Sequence, residues 1–560
     1  MTKGIAMTAD LIVTNGRVLT MDPAYPRAEA VAIRAGRILA VGPRAEVEAL
    51  RGPATRVFDA GGRTVMPGIN ESHIHIFGGS AELAQLSLFG VLGFDRMAAA
   101  IRTYAAANPD LPIVICNTAD YTILGDGRSL DRQILDAVMA DRPLALMSPD
   151  HHTVWANTVA LEKAGILHGA DLPPGNEIVM GADGLAQGEL REHYAFDAVI
   201  ELNATGGRDR LGLSTGDEPP GGTTAEERAY DMGLLRQGLA HLARHGITSF
   251  QNMDGNRYTL ELLAALEAEG DLTVRGRIPL HYVSGDVTAQ MDKAAAMARD
   301  FRSEFLTSGT VKFFMDGVLD SHTAVMAEDY EDRPGWRGEP RFDAATFATL
   351  CTEADRCGLQ IAVHSIGDGS TQMVLDAYAA AQATNGPRDS RHRIEHLEVV
   401  READFARIKG LGVIASMQPP HPPGQCGLPL EPTISRIGKT NWPRAYAWRR
   451  MLDMDIPLIL SSDWPVSSVN PWQSIHSALT RKPWADGLPD NRLSLHEALT
   501  AYTVTAARAE FAEDWKGQLK PGFAGDVIIL DRDLEAAAAD EVADVMPVLT
   551  ICAGRVTHEG

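Results

Sequence analysis

Eight short apolar runs, separated by segments long enough for a helix, are the feature that most constrains the fold of this chain. Polar residues follow each run, and the runs end near residues 75, 253, 282, 312, 364, 396, 418 and 463. Strands that alternate with helices form parallel sheets. Eight such units predict an α/β fold, a (β/α)8 TIM barrel over residues 66–509, with its chemistry at the C-terminal strand ends.

The two ends of the chain have the pattern of short strands. Residues 11–20 place an Asn-Gly turn between two apolar runs, and residues 30–42 repeat the design, so each predicts a β-hairpin. Residues 525–531 and 548–556 are also strand-like. Neither end has enough strands to bury a stable core alone. We therefore expect residues 1–65 and 510–560 to form one small composite β-sandwich domain.

The interval between the first two barrel strands, residues 80–227, is far longer than an ordinary loop. It contains strand-like runs at residues 111–116 and 143–147, followed by a Gly- and Pro-rich stretch at residues 205–224. We expect an inserted subdomain that caps the mouth of the barrel.

Composition excludes several classes of protein. The net charge of −23 argues against nucleic acid or an anionic membrane surface as a partner. No apolar run is long enough to span a bilayer, and the N-terminus lacks a signal sequence, so we expect a cytoplasmic protein. The five cysteines are scattered, without the spacing of a disulfide framework or a zinc cluster. We also expect a homodimer.

His73 and His75 end the first predicted barrel strand. Alternate side chains of a strand point to the same face, so the two imidazoles project side by side and make half of a metal site. Further candidate ligands end later strands, namely Lys312, His364, His396 and Asp463. The alternative interpretations are core histidines, a helix N-cap for Asp463 and a solvent-reaching lysine for Lys312. Convergence of all six at strand ends favours the metal site.

Lys312 is the unusual member of this set. Neighbouring cations in a metal-rich site shift a lysine towards its neutral amine. A neutral amine can react with carbon dioxide to give a carbamate, whose oxygens can bridge two metal ions.

With these residues, the chain resembles the amidohydrolase superfamily. Within it, the chain is most similar to the amidohydrolase family 3 branch, which contains N-substituted formamide deformylase-like metal-dependent hydrolases. The resemblance covers essentially the whole chain. It is carried by the histidine pair, by residues 317–330 with their Asp-Gly and Thr-Ala elements, by Ser416-Met-Gln-Pro419, Arg449-Arg-Met-Leu452 and residues 521–526. These motifs are specific for the family and only weakly specific for substrate.

The resemblance implies a role for each candidate ligand. His73 and His75 would bind one metal, and His364 and His396 the other. Carboxylated Lys312 would bridge the two, and Asp463 would be both a metal ligand and the general base. Two positions depart from the family pattern: Glu71 stands where Asp is usual, and His322 stands where Arg is common. The second departure leaves substrate specificity open.

Several other residues are candidate contacts for the substrate. His152, Trp155 and Glu192 belong to insert segments that resemble the family, although they could equally hold the subdomain together. His322 and Trp464 flank the predicted strand ends. His421 follows the seventh strand within a Pro- and Gly-rich loop, where it could polarise a substrate carbonyl as a second catalytic residue.

The sequence therefore predicts a metal-dependent hydrolase that uses metal-activated hydroxide. We expect it to cleave an amide-type C–N bond, in an N-formyl or N-acyl amine that is small and partly apolar. One or two divalent ions are expected, with Zn²⁺ the best match and Mn²⁺, Fe²⁺ or Co²⁺ also suitable. Cyclic amide, ester or deamination chemistry on the same site is the alternative, and a non-catalytic regulatory relative is a further one.

Overall fold

Parallel strands occupy the positions of the eight apolar runs, and they form two sheets in the computed structural model. The first sheet has the order Leu306–Thr307, Arg275–Arg277, Ile247–Asn252 and Ile69–Ile74. The second has the order Leu280–His281, Thr310–Phe314, Gln360–Ser365, Arg393–His396, Ile414–Met417 and Leu458–Leu460. Every pairing within these two sheets is parallel.

The third apolar run is divided between the two sheets. Arg275–Arg277 pairs in the first sheet and Leu280–His281 in the second, and Pro279 stands between them. Proline has no backbone N–H to donate to a neighbouring strand, so a strand is readily interrupted there. At the other edge, Ile74 forms a parallel bridge with Trp464, which lies just after the last strand of the second sheet.

Amphipathic helices follow the parallel strands and bury their apolar sides. Side-chain caps fix several starts; Asn256, Asp286 and Asp343 each accept the backbone N–H three residues ahead. The helices of this part of the chain are Arg257–Glu269, Val287–Asp300, Ala344–Arg356, Asp368–Asn385, Glu402–Gly410, Thr433–Ile437, Trp448–Asp453, Pro471–Thr480, Leu495–Tyr502 and Val504–Ala509. Short 3₁₀ turns span Leu319–Ser321, Trp442–Arg444 and Ala539–Asp544.

Strands from both ends of the chain share one mixed sheet. Its order is Arg555–Glu559, Pro547–Cys552, Val527–Leu530, Thr64–Pro67, Arg17–Leu19 and Arg27–Ala28. A second sheet has the order Arg37–Gly42, Ala30–Arg34, Ala9–Thr14 and Arg51–Asp59, with the short helix Arg44–Glu48 beside it. Apolar residues of both sheets, including Val13, Ile33, Val65 and Ile551, form one buried cluster.

One of the two predicted hairpins is wrong. The strands on either side of the Asn15-Gly16 turn lie in different sheets and do not pair with each other. Asn15 has φ 56°, and the chain uses the turn to cross from one sheet to the other, so that apolar residues of both strands reach the shared cluster. The second hairpin is confirmed, because Ala30–Arg34 pairs antiparallel with Arg37–Gly42.

The structure describes residues 8–125, 127–149, 153–172 and 176–560, and it divides into two units. The first contains Met1–His75, Gly212–Glu218 and Leu239–Gly560, and the second contains Ile76–Leu211 and Pro219–Gly238. Within the described ranges, no helix combines the length and apolar composition needed to cross a bilayer.

The second unit has a sheet and a core of its own. Its strands, in spatial order, are Glu177–Met180, Ala186–Arg191, Thr153–Ala156, Leu144–Met147, Val114–Asn117 and Leu86–Ser87. Two clusters of buried apolar residues pack on this sheet. The helices that begin in this unit are Ile76–Leu83, Phe94–Ala107, Arg132–Val138, Thr158–Lys163, His193–Ile200, Leu211–Ser214 and Ala225–Arg244.

A fully buried arginine connects the interiors of the two parallel sheets. The Arg393 guanidinium forms an ion pair with Glu395 and donates to Gln251 Oε1 at 2.6 Å. It also donates to the carbonyl oxygen of Ser72 at 2.7 Å and to Ser416 Oγ at 2.9 Å. These partners lie on four strands, two from each sheet. Arg393 therefore fixes how those strands meet.

Replacing Arg393 with methionine should destabilise the protein by about 3–5 kcal/mol, because it leaves the buried Glu395 carboxylate without its counterion. The thermal unfolding midpoint of chelator-treated protein measures the effect, so that lost metal does not contribute. Arg492→Met is the matched control, since Arg492 forms an exposed pair with Asp490 whose loss should cost less than about 1 kcal/mol. Equal midpoints for the two variants would contradict this role of Arg393.

Candidate metal centre

His73, His75 and Asp463 form a compact buried cluster at the end of the first parallel strand. His73 Nε2 and His75 Nε2 each lie 3.2 Å from Asp463 Oδ1. The two imidazole centroids are 5.5 Å apart, so the rings project side by side as their spacing predicts. One ligand atom from each of the three residues lies within 4.8 Å of the others, an arrangement that could hold a metal ion.

The chemistry of this cluster suits a cation. His73 Nδ1 lies 2.7 Å from Glu395 Oε2, and only the ring nitrogen can supply the hydrogen of that bond. In the neutral ring, His73 Nε2 then carries a lone pair, and this lone pair faces Asp463 Oδ1. That carboxylate oxygen has no hydrogen-bond partner among the described residues. Ligand atoms around a tetrahedral metal, about 2.0–2.1 Å from it, lie roughly 3.4 Å apart, close to what is found here. The cluster therefore fits a divalent metal.

Two carboxylates, those of Asp254 and Asp463, also face His75. Burial lowers the pKa of His75, but the Asp254 and Asp463 carboxylates outweigh burial and raise that pKa to about 9. The same two carboxylates would also favour a divalent metal ion, which would have to displace that proton from the ring nitrogen.

His364 and His396 lie beside this cluster. Their ring centroids are 4.4 Å apart, and that of His396 is 5.1 Å from His73. Burial is the main cause that holds the pKa of both rings well below the usual value, so both are neutral imidazoles. The neutral ring is the form that coordinates metals. His396 Nδ1 is buried without a hydrogen-bond partner in the described part of the chain.

Lys312 is completely buried, and its side chain points into the same interior. Its Nζ has no hydrogen-bond partner among the described residues and lies 4.5 Å from the Phe314 ring centroid. Burial lowers the pKa of Lys312 to about 8, against the opposing effect of Glu395 and Asp463. An isolated buried ammonium is costly, and the lowered pKa makes the neutral amine easier to reach.

Three carboxylates that the sequence did not single out hold the histidines in place. Glu395 bonds His73 Nδ1, Asp254 Oδ1 lies 3.5 Å from His75 Nδ1, and Asp316 Oδ1 lies 3.2 Å from His364 Nδ1. Asp316 also accepts the N–H groups of Ile366 and Gly367. Carboxylates behind metal-binding histidines select the ring tautomer and orientation. Asp316 belongs to the Asp-Gly element, and Glu395 directly precedes His396. These positions in or beside recognised motifs were the signal by which the sequence could have identified the two carboxylates.

The backbone is strained where two candidate ligands leave their strands. His396 and Asp463 have positive φ values of 78° and 61°, and Leu397 follows with 49°. Such conformations are costly for residues other than glycine, and they persist where surrounding contacts impose them. The Asp463 N–H donates to the His73 carbonyl at 3.0 Å, and the Leu397 N–H donates to the Ser365 carbonyl at 3.1 Å. The strain aims both ligands into the interior.

His421, predicted as a second catalytic residue, lies at the edge of the cluster. Its Nε2 is 3.9 Å from Asp463 Oδ2 and has no hydrogen-bond partner in the described chain. Its Nδ1 is 3.7 Å from Glu398 Oε1, and Glu398 Oε2 accepts a hydrogen bond from the Tyr446 hydroxyl at 2.8 Å. The sequence did not single out Glu398. With His396 and His421 it forms a second group able to hold a cation.

Glu71, where the family resemblance leads us to expect the shorter Asp, lies behind the cluster. Its Oε1 accepts the Ser462 N–H at 2.9 Å, directly beside Asp463. Burial raises the pKa of Glu71 to about 8. The side chain thus fixes the segment that carries Asp463.

The predicted substrate contacts have varied surroundings. His322 Nε2 pairs with Asp332 Oδ1 at 2.9 Å, and Trp464 is 5% exposed, with its ring 5.7 Å from His241. Trp155 is buried in the core of the second unit against Tyr121. Glu192 precedes the helix His193–Ile200 in that unit. His152 lies outside the described residues. Contact of any of these with a substrate stays a prediction.

Comparisons with known proteins identify the family. The family model described as "Amidohydrolase family" matches residues 56–558, and the chain belongs to that family. "Protein LONG AFTER FAR-RED 3" of Arabidopsis thaliana is 31% identical over 542 residues, 95% of this chain and 89% of that protein. "N-substituted formamide deformylase" of Arthrobacter pascens is 24% identical over 98% of both chains.

Solved structures agree with the fold. An uncharacterized metal-dependent hydrolase from Pyrococcus furiosus superposes with a TM-score of 0.71 and 26% identity, over 93% of this chain and 99% of that one. Family membership and the buried ligand cluster together identify a metal-dependent hydrolase of the amidohydrolase type.

Lys312→Ala should abolish activity and lower the metal content of purified protein, because the interior loses the group proposed to bridge two ions. Added acetate or propionate should restore part of the activity, since a short carboxylate can occupy the vacated space. Elemental analysis and turnover measure the two effects, with the exposed Lys520→Ala as control. Unchanged metal content in Lys312→Ala, or an unmodified lysine amine in a metal-loaded crystal structure, would contradict the bridge.

Proposed function

We propose that this protein hydrolyses an amide-type C–N bond in an N-formyl or N-acyl amine. The observation that carries the proposal is the convergence of buried histidines, the Asp463 carboxylate and the isolated Lys312 amine on one interior. The likeness to N-substituted formamide deformylase along the whole chain supports an amide as the substrate.

We infer that the two parallel sheets close into one eight-stranded barrel around this interior. The Ile74–Trp464 bridge at one edge and the run divided at Pro279 at the other support closure. Arg393, which bonds to strands of both sheets, supports it from within. Candidate ligands then stand at the C-terminal strand ends, where TIM-barrel enzymes carry their chemistry.

Six residues would hold the metal ions: His73, His75, Lys312 as a carbamate, His364, His396 and Asp463. Imidazole and carboxylate ligands suit Zn²⁺, which we propose as the metal. Divalent ions in this position supply Lewis-acid polarisation of the scissile carbonyl and lower the pKa of a nearby water.

Asp463 and His421 would carry the proton transfers. Asp463 accepts a proton from the attacking water and passes it to the leaving nitrogen. A protonated His421 would donate from Nε2, which is buried without a partner among the described residues, to the oxyanion that develops on the substrate. Glu398 acts through His421, because its carboxylate faces Nδ1 and is itself held by Tyr446.

Exposed apolar side chains support a partly apolar substrate. Leu428 and Leu430 lie in the segment after the strand Ile414–Met417, and Val466 lies just after Leu458–Leu460. Each is 44–50% exposed although the residue is aliphatic. Both segments follow neighbouring strands of the same sheet, so these side chains offer apolar contacts at the end where the ligands stand.

Asp463→Asn should retain the fold and much of the metal, since an amide oxygen can still coordinate, but it should lose about 10²–10⁴-fold in kcat because it cannot accept a proton. A panel of N-formyl, N-acyl and cyclic amides, with the corresponding esters, tests wild type and variant at equal metal occupancy. Turnover of N-formyl or N-acyl amides is the expected result. Hydrolysis of esters or cyclic amides alone would replace this proposal, and near-normal kcat in Asp463→Asn would reassign the base.

Glu398→Ala should lower kcat about 10–100-fold, in the range typical for groups that orient an active-site residue, with little change in KM. Glu398→Gln should recover most of that loss, since an amide oxygen can still accept from His421 Nδ1. Steady-state kinetics with parallel metal analysis check both variants. Loss of metal from Glu398→Gln would instead make Glu398 a ligand, as its grouping with His396 and His421 allows.

A further inference from the structure

Arg341 is anchored beside the candidate metal centre. Its N–H donates to the Met315 carbonyl at 2.9 Å, at the end of the strand that carries Lys312. The next residue, Phe342, packs against Phe313 and Phe347, with ring centroids 6.3 and 5.8 Å away. These contacts hold the backbone of Arg341 at one place, although its side chain is exposed.

The guanidinium of Arg341 lies near an aromatic ring that stacks on a candidate metal ligand. Its central carbon is 5.9 Å from the centroid of the Phe314 ring. That ring stacks on His364 with a centroid distance of 4.8 Å and an interplanar angle of 28°. Phe314 therefore neighbours both the exposed Arg341 side chain and the buried His364 ring.

Arg341 has no acidic partner among the described residues. Other arginines of the same region are engaged: Arg337 pairs with Asp329 at 2.7 Å, and Arg333 lies over the Trp336 ring. The chain has 74 acidic residues and a net charge of −23, so most arginines can find a carboxylate partner. Composition therefore does not explain why Arg341, beside the candidate metal centre, has none among the described residues. Its donors are available to a ligand.

We propose that Arg341 binds a carboxylate of the substrate, so that the preferred substrates are N-acylated amines that also carry a carboxylate a few bonds from the amide. A guanidinium matches a carboxylate with two parallel hydrogen bonds, which adds orientation to attraction. The half-buried Phe314 ring, which neighbours both Arg341 and His364, would contact the apolar part of the same molecule. This inference rests on the proposed amide hydrolysis and adds a substrate class to it.

Binding measured without turnover tests the proposal. The metal-loaded Asp463→Asn protein is titrated calorimetrically with N-formylphenylalanine and with its neutral primary amide. Introducing Arg341→Gln into this protein should weaken binding of the carboxylate ligand about 10- to 100-fold, as expected for lost hydrogen bonds to a charged group. It should weaken binding of the neutral amide by less than about threefold. Arg337→Gln, which removes an exposed arginine of the same region, should change neither constant by more than about twofold.

Two binding results would overturn the carboxylate site. The first is equal affinity of the two ligands for the protein that retains Arg341. The second is a preference for the carboxylate ligand that persists in Arg341→Gln, because the carboxylate would then bind the metal. Turnover by the protein with Asp463 intact separates the two proposals. Arg341-dependent binding without hydrolysis of either ligand rejects the amide reaction alone. Hydrolysis of both with equal kcat/KM, unaffected by Arg341→Gln, rejects the Arg341 assignment alone.

Discussion

The buried Arg393 guanidinium is the interaction on which the organisation of the site depends. It contacts Ser72, Gln251, Glu395 and Ser416, which lie on four different parallel strands. A charge with no exposure is tolerated only if its hydrogen bonds are satisfied, so the four strands must meet where its donors point. Because Glu395 continues this network to His73, the same constraint orients the first candidate ligand.

The electrostatics around these strands suit a cation more than any other occupant. Neutral imidazoles, an isolated amine and carboxylate oxygens without donors face one another in a buried interior. Each of these groups is unfavourable alone, because burial removes its water. A protein that keeps such an interior gives up stability for function. The positive φ angles of His396 and Asp463 are a second such cost, since they strain the backbone at two candidate ligands.

The local pattern of apolar and polar residues in the sequence was enough to predict much of the architecture. Apolar runs with intervening helical segments located the parallel strands, since strand formation and helix periodicity depend on neighbouring residues. The hairpin at residues 30–42 was predictable from its turn for the same reason. The Asn15-Gly16 turn was not, because which strands pair depends on the core that both must reach. A turn signal specifies a change of direction and leaves the partner strand open.

The six candidate ligands could be named from the sequence because each lies in or just after an apolar run, although the strand Thr310–Phe314 continues two residues beyond Lys312. The groups that orient them could not be named. Strict alternation would send Glu395 and His396 to opposite faces, yet both reach His73, since the left-handed conformation of His396 turns its side chain inward. Asp254, Asp316 and Glu398 likewise gain their roles only by contacts with residues distant along the chain. The sequence by itself determined which strands form and which chemical groups end them. Only the tertiary structure decided which carboxylate faces which histidine, because that depends on how separate strands are brought together around one buried charge.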